Sequence, residues 1–259
     1  MDISILNMVL GFLLLALPLY VFYRFQTRLI RSTVIAAVRM VVQMAIIGLY
    51  LKYLFQWNSP WINIVWVMAM VAVASFTALR RTRLHWQTAL LPIAAGFFSS
   101  AMVVGLYFLF VVLRLDQPFD SRYFIPIMGI LMGNMLSVAV IALNSYYDSL
   151  QREHQQYYYL LGNGATHLEA ITPFIRQALE KSFSPFIANM AVMGIVSLPG
   201  TMTGQILGGS APGIAIKYQI MIIVITFSAS ILSLAATLFL ADRRSFDLNG
   251  RIKDVRSKG

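Results

Sequence analysis

Cysteine is absent from this 259-residue chain, and charged side chains are scarce. Without cysteine there are no disulfides, no thiol catalysis and no cysteine-ligated zinc or iron–sulfur site. Charged residues make up 12% of the sequence and hydrophobic residues 59%, whereas about 25% of a typical soluble domain is charged. The composition excludes an ordinary soluble enzyme, a disordered chain and a fibrous protein, and it predicts a membrane protein.

The sequence also lacks a nucleotide-binding motif. It contains no Gly-x4-Gly-Lys-Ser/Thr phosphate loop, the motif whose backbone and lysine hold the phosphates of ATP. We therefore expect no catalytic residue and no cofactor bound by this chain. If ATP drives its work, the hydrolysing site belongs to another polypeptide.

Acidic residues are few, and all 10 lie outside the apolar stretches. Ion-coupled carriers commonly keep a carboxylate within the membrane, where it loads and releases the cation. This distribution argues against ion-coupled transport and against an intramembrane aspartyl or zinc protease. The three histidines fall in segments predicted to be cytoplasmic, so a mid-membrane histidine cluster is not expected.

Seven stretches reach the length of about 20 mostly apolar residues that a membrane helix needs. They cover about residues 5–23, 33–55, 60–79, 88–113, 124–143, 185–198 with its continuation, and 220–240. We expect the first to be a span rather than a cleaved signal peptide, because its basic cluster follows the apolar run. The prediction is an all-α, polytopic fold of about seven transmembrane helices, with a membrane domain over residues 1–240.

Lysine and arginine predict the orientation. The net charge is +10, and cationic loops resist translocation across the membrane. With the first loop in the cytoplasm, fifteen of the 20 basic residues lie on that side, including Arg251, Arg256 and Lys258 in a basic tail over residues 241–259. The N-terminus is then outside and the C-terminus cytoplasmic. The tail is expected near anionic lipid, and no nucleic-acid partner is expected.

One long cytoplasmic segment, residues 145–183, differs from the short loops. Gly162 and Gly164 break a helix, and the run from Thr166 to Glu169 fits a capping box. A second amphipathic helix follows through about Lys181, with one apolar stripe formed by Leu168, Ile171, Ile175 and Leu179. Two interpretations remain open: an interfacial helix lying on lipid, or a docking elbow that fills a groove in a partner and transmits its motion.

Several residues in the apolar stretches could line a path. Arg39 and Gln43 lie one helical turn apart in the second stretch, where Arg39 either reaches the interface or faces a wet cavity. Asn134 can offer an oxygen to a passing ion. The methionines are either packing or soft metal ligands; they are Met128, Met132 and Met135 in the fifth stretch, with Met190 and Met193 in the sixth.

Glycine and proline interrupt the sequence after the sixth stretch. Gly200, Gly204 and Gly208 recur every four residues, which in a helix makes a surface for close helix contact. With Pro199 and Pro212, the same segment is also typical of a broken helix whose free carbonyls line a cavity. Both interpretations place Ser197, Pro199 and Gly200 at a dimer seam or a gate.

Together, these motifs resemble a known family. The blocks that carry the resemblance are Ser197-Leu198-Pro199-Gly200, Lys217-Tyr218-Gln219, Arg39-x3-Gln43-x4-Gly48 and Ile125-Pro126-x2-Gly129-x3-Gly133-Asn134. The chain resembles the permease subunit of the Fet-type bacterial iron exporters, a family that includes plant aluminium-sensitivity half-transporters. The resemblance implies an ATP-binding-cassette permease in the bacterial inner membrane, exporting iron with a separate cytoplasmic ATPase subunit that binds ATP and magnesium.

The elbow also resembles the coupling motif of ABC permeases, in which Glu-Ala-Ala precedes a glycine. Gly164, Ala165 and Thr166 match the glycine end of that motif. The glutamate position is Tyr158, so the acidic half is missing. The resemblance implies ATPase coupling through Gly162, Gly164, Ala165, Thr166 and Glu169.

The leading hypothesis is a homodimeric permease, because one chain carries few spans to enclose a two-sided path. Its candidate path residues are Arg39, Gln43, Met128, Met132, Asn134, Met135, Ser197, Pro199 and Gly200. The alternatives are an ABC permease for another substrate, such as a nucleotide sugar, and a membrane scaffold without transport.

Overall fold

The computed structural model describes residues 4–247 and Lys253, which are almost entirely helical. The helices are α1 Ile5–Leu13, α2 Ala16–Arg24, α3 Leu29–Trp57, α4 Pro60–Thr82, α5 Trp86–Ser100, α6 Ser121–Arg152, α7 His154–Gly162, α8 His167–Val192, α9 Gly200–Leu207 and α10 Pro212–Ser245. Two π-helical segments, Ala101–Gly105 and Phe108–Val112, continue α5. The predicted all-α, polytopic fold class is confirmed.

The chain divides into two compact units. The first ends at Trp57 and contains α1 to α3, and the second begins at Asn58. Within the first unit, α2 packs against α3, and an apolar groove of about 540 Å³ runs between the first two helices and α3. Arg39 and Gln43 are exposed on α3.

In the second unit, α6 contacts α4, α8 and α10, and α10 packs most extensively against α5. The α5–α10 crossing is close because Gly96 has no side chain: a Cβ there would lie 2.7 Å from the carbonyl oxygen of Ser233. Small hydroxyl residues line the buried face of α10, and several donate to their own helix, as Ser230 does to Thr226 at 2.7 Å. Small residues at such contacts let membrane helices approach closely.

The described residues contain six helices long and apolar enough to cross a membrane, not the seven of the sequence analysis. They are Leu6–Arg24, Leu29–Trp57, Pro60–Thr82, Trp86–Val112, Ser121–Arg152 and Pro212–Ser245. The predicted sixth span, 185–198, is not a separate helix, because α8 runs without interruption from His167 through Pro185 to Val192. Charged residues in the middle of α8 lower its apolarity.

The α8–α9 segment nevertheless runs antiparallel along α10. His167 meets Asp242, Phe183 and Phe186 lie against Phe227, and Thr201 meets Gln219. At 1.5 Å per residue, Gln219 and Asp242 are separated by about 35 Å along α10, more than the roughly 30 Å hydrocarbon core. The segment therefore covers the length of a membrane crossing without a long apolar window.

The buried face of α8 differs from the predicted stripe. Leu168 and Leu179 are exposed, at 66% and 37%. The residues buried on the first half of α8 are Ala170, Ile171, Phe174 and Ala178. Helix α8 packs most extensively against α6, and the two alanines among its buried residues allow a closer helix approach than leucine does.

The predicted tail is described only in part. Helix α10 continues to Ser245, and Phe246 is buried. Arg251, Arg256 and Lys258 lie outside the described residues, so the boundary of a basic tail over residues 241–259 stays a prediction.

Candidate functional site

A cavity of about 280 Å³ lies between α6, α8, α9 and α10. The polar side chains that line it are all neutral, and they are Asn134, Asn189, Thr201, Gln219 and Thr226. We call it the polar cavity. Gln219 and Thr226 are buried, Asn134 is half-buried, and Asn189 and Thr201 are exposed in the single chain. Polar side chains in an apolar bundle are costly unless they are hydrogen-bonded or wet, so their convergence marks this cavity as the candidate site.

Two of the three amides that line the polar cavity are held by hydrogen bonds. Gln219 is buried on α10, and its side-chain oxygen accepts a hydrogen bond from the Thr201 hydroxyl on α9. On α6, the side-chain nitrogen of Asn134 donates to the carbonyl of Ile130 at 2.9 Å. The donation orients that amide and leaves its oxygen as the group that it can offer to a ligand.

A second cavity of about 390 Å³ adjoins the polar cavity and shares Met190, Met193, Gln219 and Ile223 with it. Pro199 and Met202 also line it. Its wall includes a break in the helix, because Gly194 has a φ of +87° and donates its N–H to the Ser197 carbonyl at 2.9 Å. The adjoining cavity therefore offers thioethers and irregular backbone, while the polar cavity offers amides.

Helix α9 matches the broken-helix interpretation of the glycine segment. It spans only Gly200–Leu207 and is followed by Gly209 at a φ of +95°. An added Cβ at Gly200 or Gly204 would meet no described atom within 4 Å. These glycines make no close helix contact within the described part of one chain.

The structure brings together some predicted path residues and separates others. Asn134 lines the polar cavity, and Pro199 lines the adjoining one. Ser197 and Gly200 are exposed beside them. Three predicted residues, Met128, Met132 and Met135, are buried on another face of α6 and line neither cavity. Met128 packs on Gly105, where a Cβ would collide with its thioether.

Sequence reasoning missed Gln219, Asn189, Thr201 and Thr226 as candidate site residues. Gln219 stood within a quoted motif, and an amide in an apolar helix is itself a signal. Asn189 gave the same signal in the sixth stretch. Their convergence was not visible, because they come from different helices.

The segment that the sequence predicts to be a docking elbow is the second part of the candidate site. Helix α6 ends at Arg152, α7 follows, and the turn after Gly162 reverses the chain at Gly164, where φ is +89°. The predicted capping box is confirmed: Glu169 N–H donates to the Thr166 hydroxyl at 3.3 Å, and Thr166 N–H donates to the Glu169 carboxylate at 2.8 Å. Gly162, Gly164, Thr166 and Glu169 are exposed and Ala165 is half-buried.

The capping box has an electrostatic consequence. The Thr166 backbone N–H, and secondarily its hydroxyl, hold the pKa of the Glu169 carboxyl below its ordinary value. Hydrogen bonds to a carboxylate favour its charged form. The first turn of α8 is therefore capped by an ionised, solvent-exposed side chain that fixes how the turn is presented.

Comparison with known proteins places the chain in a family. It matches the uncharacterised protein family UPF0014 over residues 5–246. It is 34% identical to Protein ALUMINUM SENSITIVE 3 of Arabidopsis thaliana over 203 residues, 78% of this chain and 72% of that protein. It is 27% identical to the UPF0014 membrane protein YjkA of Bacillus subtilis, over 98% of this chain and 99% of that protein.

A further relative carries a functional name. The chain is 28% identical to the "Probable iron export permease protein FetB" of Escherichia coli over 245 residues, 93% of this chain and 92% of that protein. No solved structure matches the chain. The family match and the apolar helices agree, and the chain belongs to the UPF0014 family of multi-pass membrane proteins.

Proposed function

We propose that the chain is the permease subunit of an ATP-binding-cassette exporter that moves iron out of the cytoplasm. The observation that carries the proposal is the polar cavity, in which amides from three long helices converge beside the broken helix α9. A scaffold without transport has no need of such a cavity. The named relative FetB supports iron as the cargo.

The fuel is assigned to a separate subunit. Since the sequence contains no phosphate loop, ATP and magnesium would bind an ATPase partner on the cytoplasmic side. The exposed, capped turn at residues 162–166 is the surface proposed to dock that partner. Its glycine at positive φ and its capping box fix the turn geometry that a groove would receive.

The neutral polar side chains of the polar cavity suit a cargo that must be bound and then released. Amide and hydroxyl oxygens can complete the ligand shell of a metal ion. Because the lining of the polar cavity carries no charged side chain, it would hold a cation weakly. Weak binding favours release of the iron. An uncharged lining also suits iron whose charge is reduced by ligands that travel with it.

Topology and assembly follow from the same proposal. With the α8–α9 segment counted as a crossing, the N-terminus lies outside and the basic end of α10 lies in the cytoplasm of the bacterial inner membrane. We propose a homodimer, because the two cavities of one chain are bounded by few helices. The exposed apolar residues Ile195, Val196 and Leu207 near α9 are the surface it would bury.

Reconstitution tests the proposal. The tagged permease, with the ATPase that co-purifies from its native membrane, is placed in liposomes with ferrous iron, ferric citrate or UDP-glucose. We expect ATP-dependent movement of one iron form and stimulation of ATP hydrolysis by that form. Stimulation by UDP-glucose alone would replace iron with a nucleotide sugar, and equal movement by the permease without the ATPase would overturn the coupling to ATP.

Gly164→Pro tests the docking turn. Proline fixes φ near −65°, which is incompatible with the φ of +89° at this position, so transport per ATP should fall. Gly213→Ala is the control, because a Cβ at residue 213 would meet no described atom within 4 Å. Normal transport by Gly164→Pro would exclude this turn as the docking site.

A further inference from the structure

The turn at residues 162–166 is connected to the far end of the last helix by a chain of side chains. The Tyr157 hydroxyl lies 3.0 Å from Nδ1 of His167, and Nε2 of His167 lies 3.0 Å from both carboxylate oxygens of Asp242. Tyr157 is on α7, His167 is the first residue of α8, and Asp242 is near the end of α10. We call these three residues the latch.

An aromatic side chain covers the latch. The ring of Phe246 packs edge-on against His167 with centroids 4.5 Å apart, and it lies 5.5 Å from the ring of Tyr157. Tyr157 is fully buried, and burial raises the pKa of its hydroxyl to about 12. The hydroxyl therefore keeps its proton and remains a hydrogen-bonding group of the latch.

The hydrogen bond between His167 and Asp242 has a defined donor and acceptor. An ionised carboxylate can only accept hydrogen bonds, so Nε2 of His167 carries the proton that is donated to Asp242. The opposite ring nitrogen is then held by the Tyr157 hydroxyl. One imidazole thus joins α7 to α10 across the start of α8.

The position of His167 links the latch to the docking turn. His167 directly follows Thr166, the N-cap residue of the docking turn, and the capping box with Glu169 fixes that first turn. A displacement of the turn therefore moves the imidazole directly. The carboxylate that it contacts stands on a continuous 34-residue helix.

The other end of that helix reaches the candidate site. Gln219 lines both cavities and accepts the hydrogen bond of Thr201 on α9. We propose that Tyr157, His167 and Asp242 are positioning residues that deliver the movement of the docking turn to α10, and through the Gln219–Thr201 contact to α9. This inference rests on the proposed function, since it needs an ATPase at the turn.

The His167–Asp242 pair of the latch contributes little to the stability of the fold. His167 and Asp242 are partly exposed, at 37% and 22% of their side chains, and ion pairs in contact with solvent add little to stability. Variants of His167 and Asp242 should therefore fold. Their defect should appear in the coupling between hydrolysis and transport.

The first experiment uses the permease with its co-purified ATPase in liposomes. We expect His167→Ala and Asp242→Asn to keep ATP hydrolysis but to lower iron moved per ATP by about tenfold, within the usual range of coupling between sites. The double variant should be no worse than either single one. His167→Gln should restore part of the coupling, because its amide can donate to Asp242 and accept from Tyr157.

His154→Ala is the matched control. This histidine is exposed on α7, and its ring contacts only the carbonyl of Gln151 among the hydrogen bonds of the described residues. We expect normal transport per ATP. Wild-type coupling in His167→Ala, in a preparation where Gly164→Pro is uncoupled, would overturn the latch and leave the proposed function intact. If both His167→Ala and Gly164→Pro kept wild-type coupling, the latch and the docking turn would both be overturned.

A second measurement needs no ATPase. Because the chain has no cysteine, nitroxide labels can be placed at Asn163→Cys and Arg243→Cys and their separation measured in liposomes. His167→Ala should broaden the distance distribution, and His154→Ala should not. An unchanged distribution in His167→Ala would mean that other contacts hold the turn to α10, and the latch proposal would fail.

Discussion

Helix α10 and the α8–α9 segment run past each other over the same length but are built in opposite ways. Helix α10 is a single helix from Pro212 to Ser245. The neighbouring segment is interrupted after Val192 and again after Leu207. The uninterrupted helix packs tightly against α5, whereas the interrupted one leaves glycines open and places irregular backbone at a cavity.

The continuous helix α10 provides a rigid element, and the interrupted α8–α9 segment provides the irregular backbone of the candidate site. A continuous helix forms its backbone hydrogen bonds within itself. Such a helix can transmit movement through lipid as a rigid element. A broken helix frees carbonyls and allows side chains such as Thr201 to turn toward a neighbour. The polar cavity lies where α10 and the α8–α9 segment meet.

Gly96→Ala should give the largest change in this comparison. The added Cβ collides with the backbone of α10 at Ser233, and overpacking of this kind costs about 1–3 kcal/mol. We expect a clear fall in the melting temperature of the detergent-solubilised protein. Gly204→Ala on α9 is the control and should melt no lower, since its Cβ enters open space; equal losses would remove the contrast between the two regions.

Gln219→Leu should abolish the polar contact between the two regions without unfolding the chain. Loss of one cavity amide and of its bond to Thr201 is expected to lower iron transport by about tenfold, the equivalent of roughly 1.4 kcal/mol. The measurement is ATP-driven iron movement in liposomes, with protein yield as a check on folding. Gln205→Leu on α9 is the control, because Gln205 lines neither cavity. A normal rate for Gln219→Leu would place the path elsewhere.

A smaller effect is expected at the start of α8 when the pH is lowered. The pKa of Glu169 is below its ordinary value, so the cap is fully present above the pKa of the unfolded chain and is lost as the pH falls through the lowered folded value. Amide exchange in the first turn of α8, corrected for intrinsic rates, should accelerate in that acid range.

Glu169→Gln provides the control for the pH experiment, since it should remove the pH dependence. The start of α10 has no side-chain cap and serves as an internal reference that should not respond. A pH response of equal size at both helix starts would show that the carboxylate of Glu169 is not its cause.

Local patterns in the sequence were sufficient for much of the architecture. Apolar stretches of span length predicted all six apolar crossings, and the Thr166–Glu169 capping box is present as predicted. Both signals are contained within a single helix or its cap, so they can be recognised without knowing which helices pack together. The predicted sixth stretch differs from the structure, because residues 185–192 belong to the longer helix α8, which begins at His167 in a polar segment.

The candidate site was less predictable. Asn134 was identified as a polar residue in an apolar stretch, and it lines the polar cavity. Gln219 and Asn189 gave the same signal, but nothing local indicates which amides face one another. The predicted methionine stripe on α6 has helical spacing, yet that spacing does not tell which face meets a cavity and which meets Gly105.

The sequence alone determined that this protein is a helical membrane protein without a phosphate loop or cysteine chemistry, because hydropathy, helix length and motif content are local properties. Tertiary structure decided that α8 and α9 run along α10, that amides from α6, α8 and α10 enclose one cavity, and that His167 meets Asp242. The physical reason is that these features bring together residues far apart along the chain: Asn134 and Gln219, which line one cavity, are separated by 85 positions. Their pairing depends on which helix faces allow close packing.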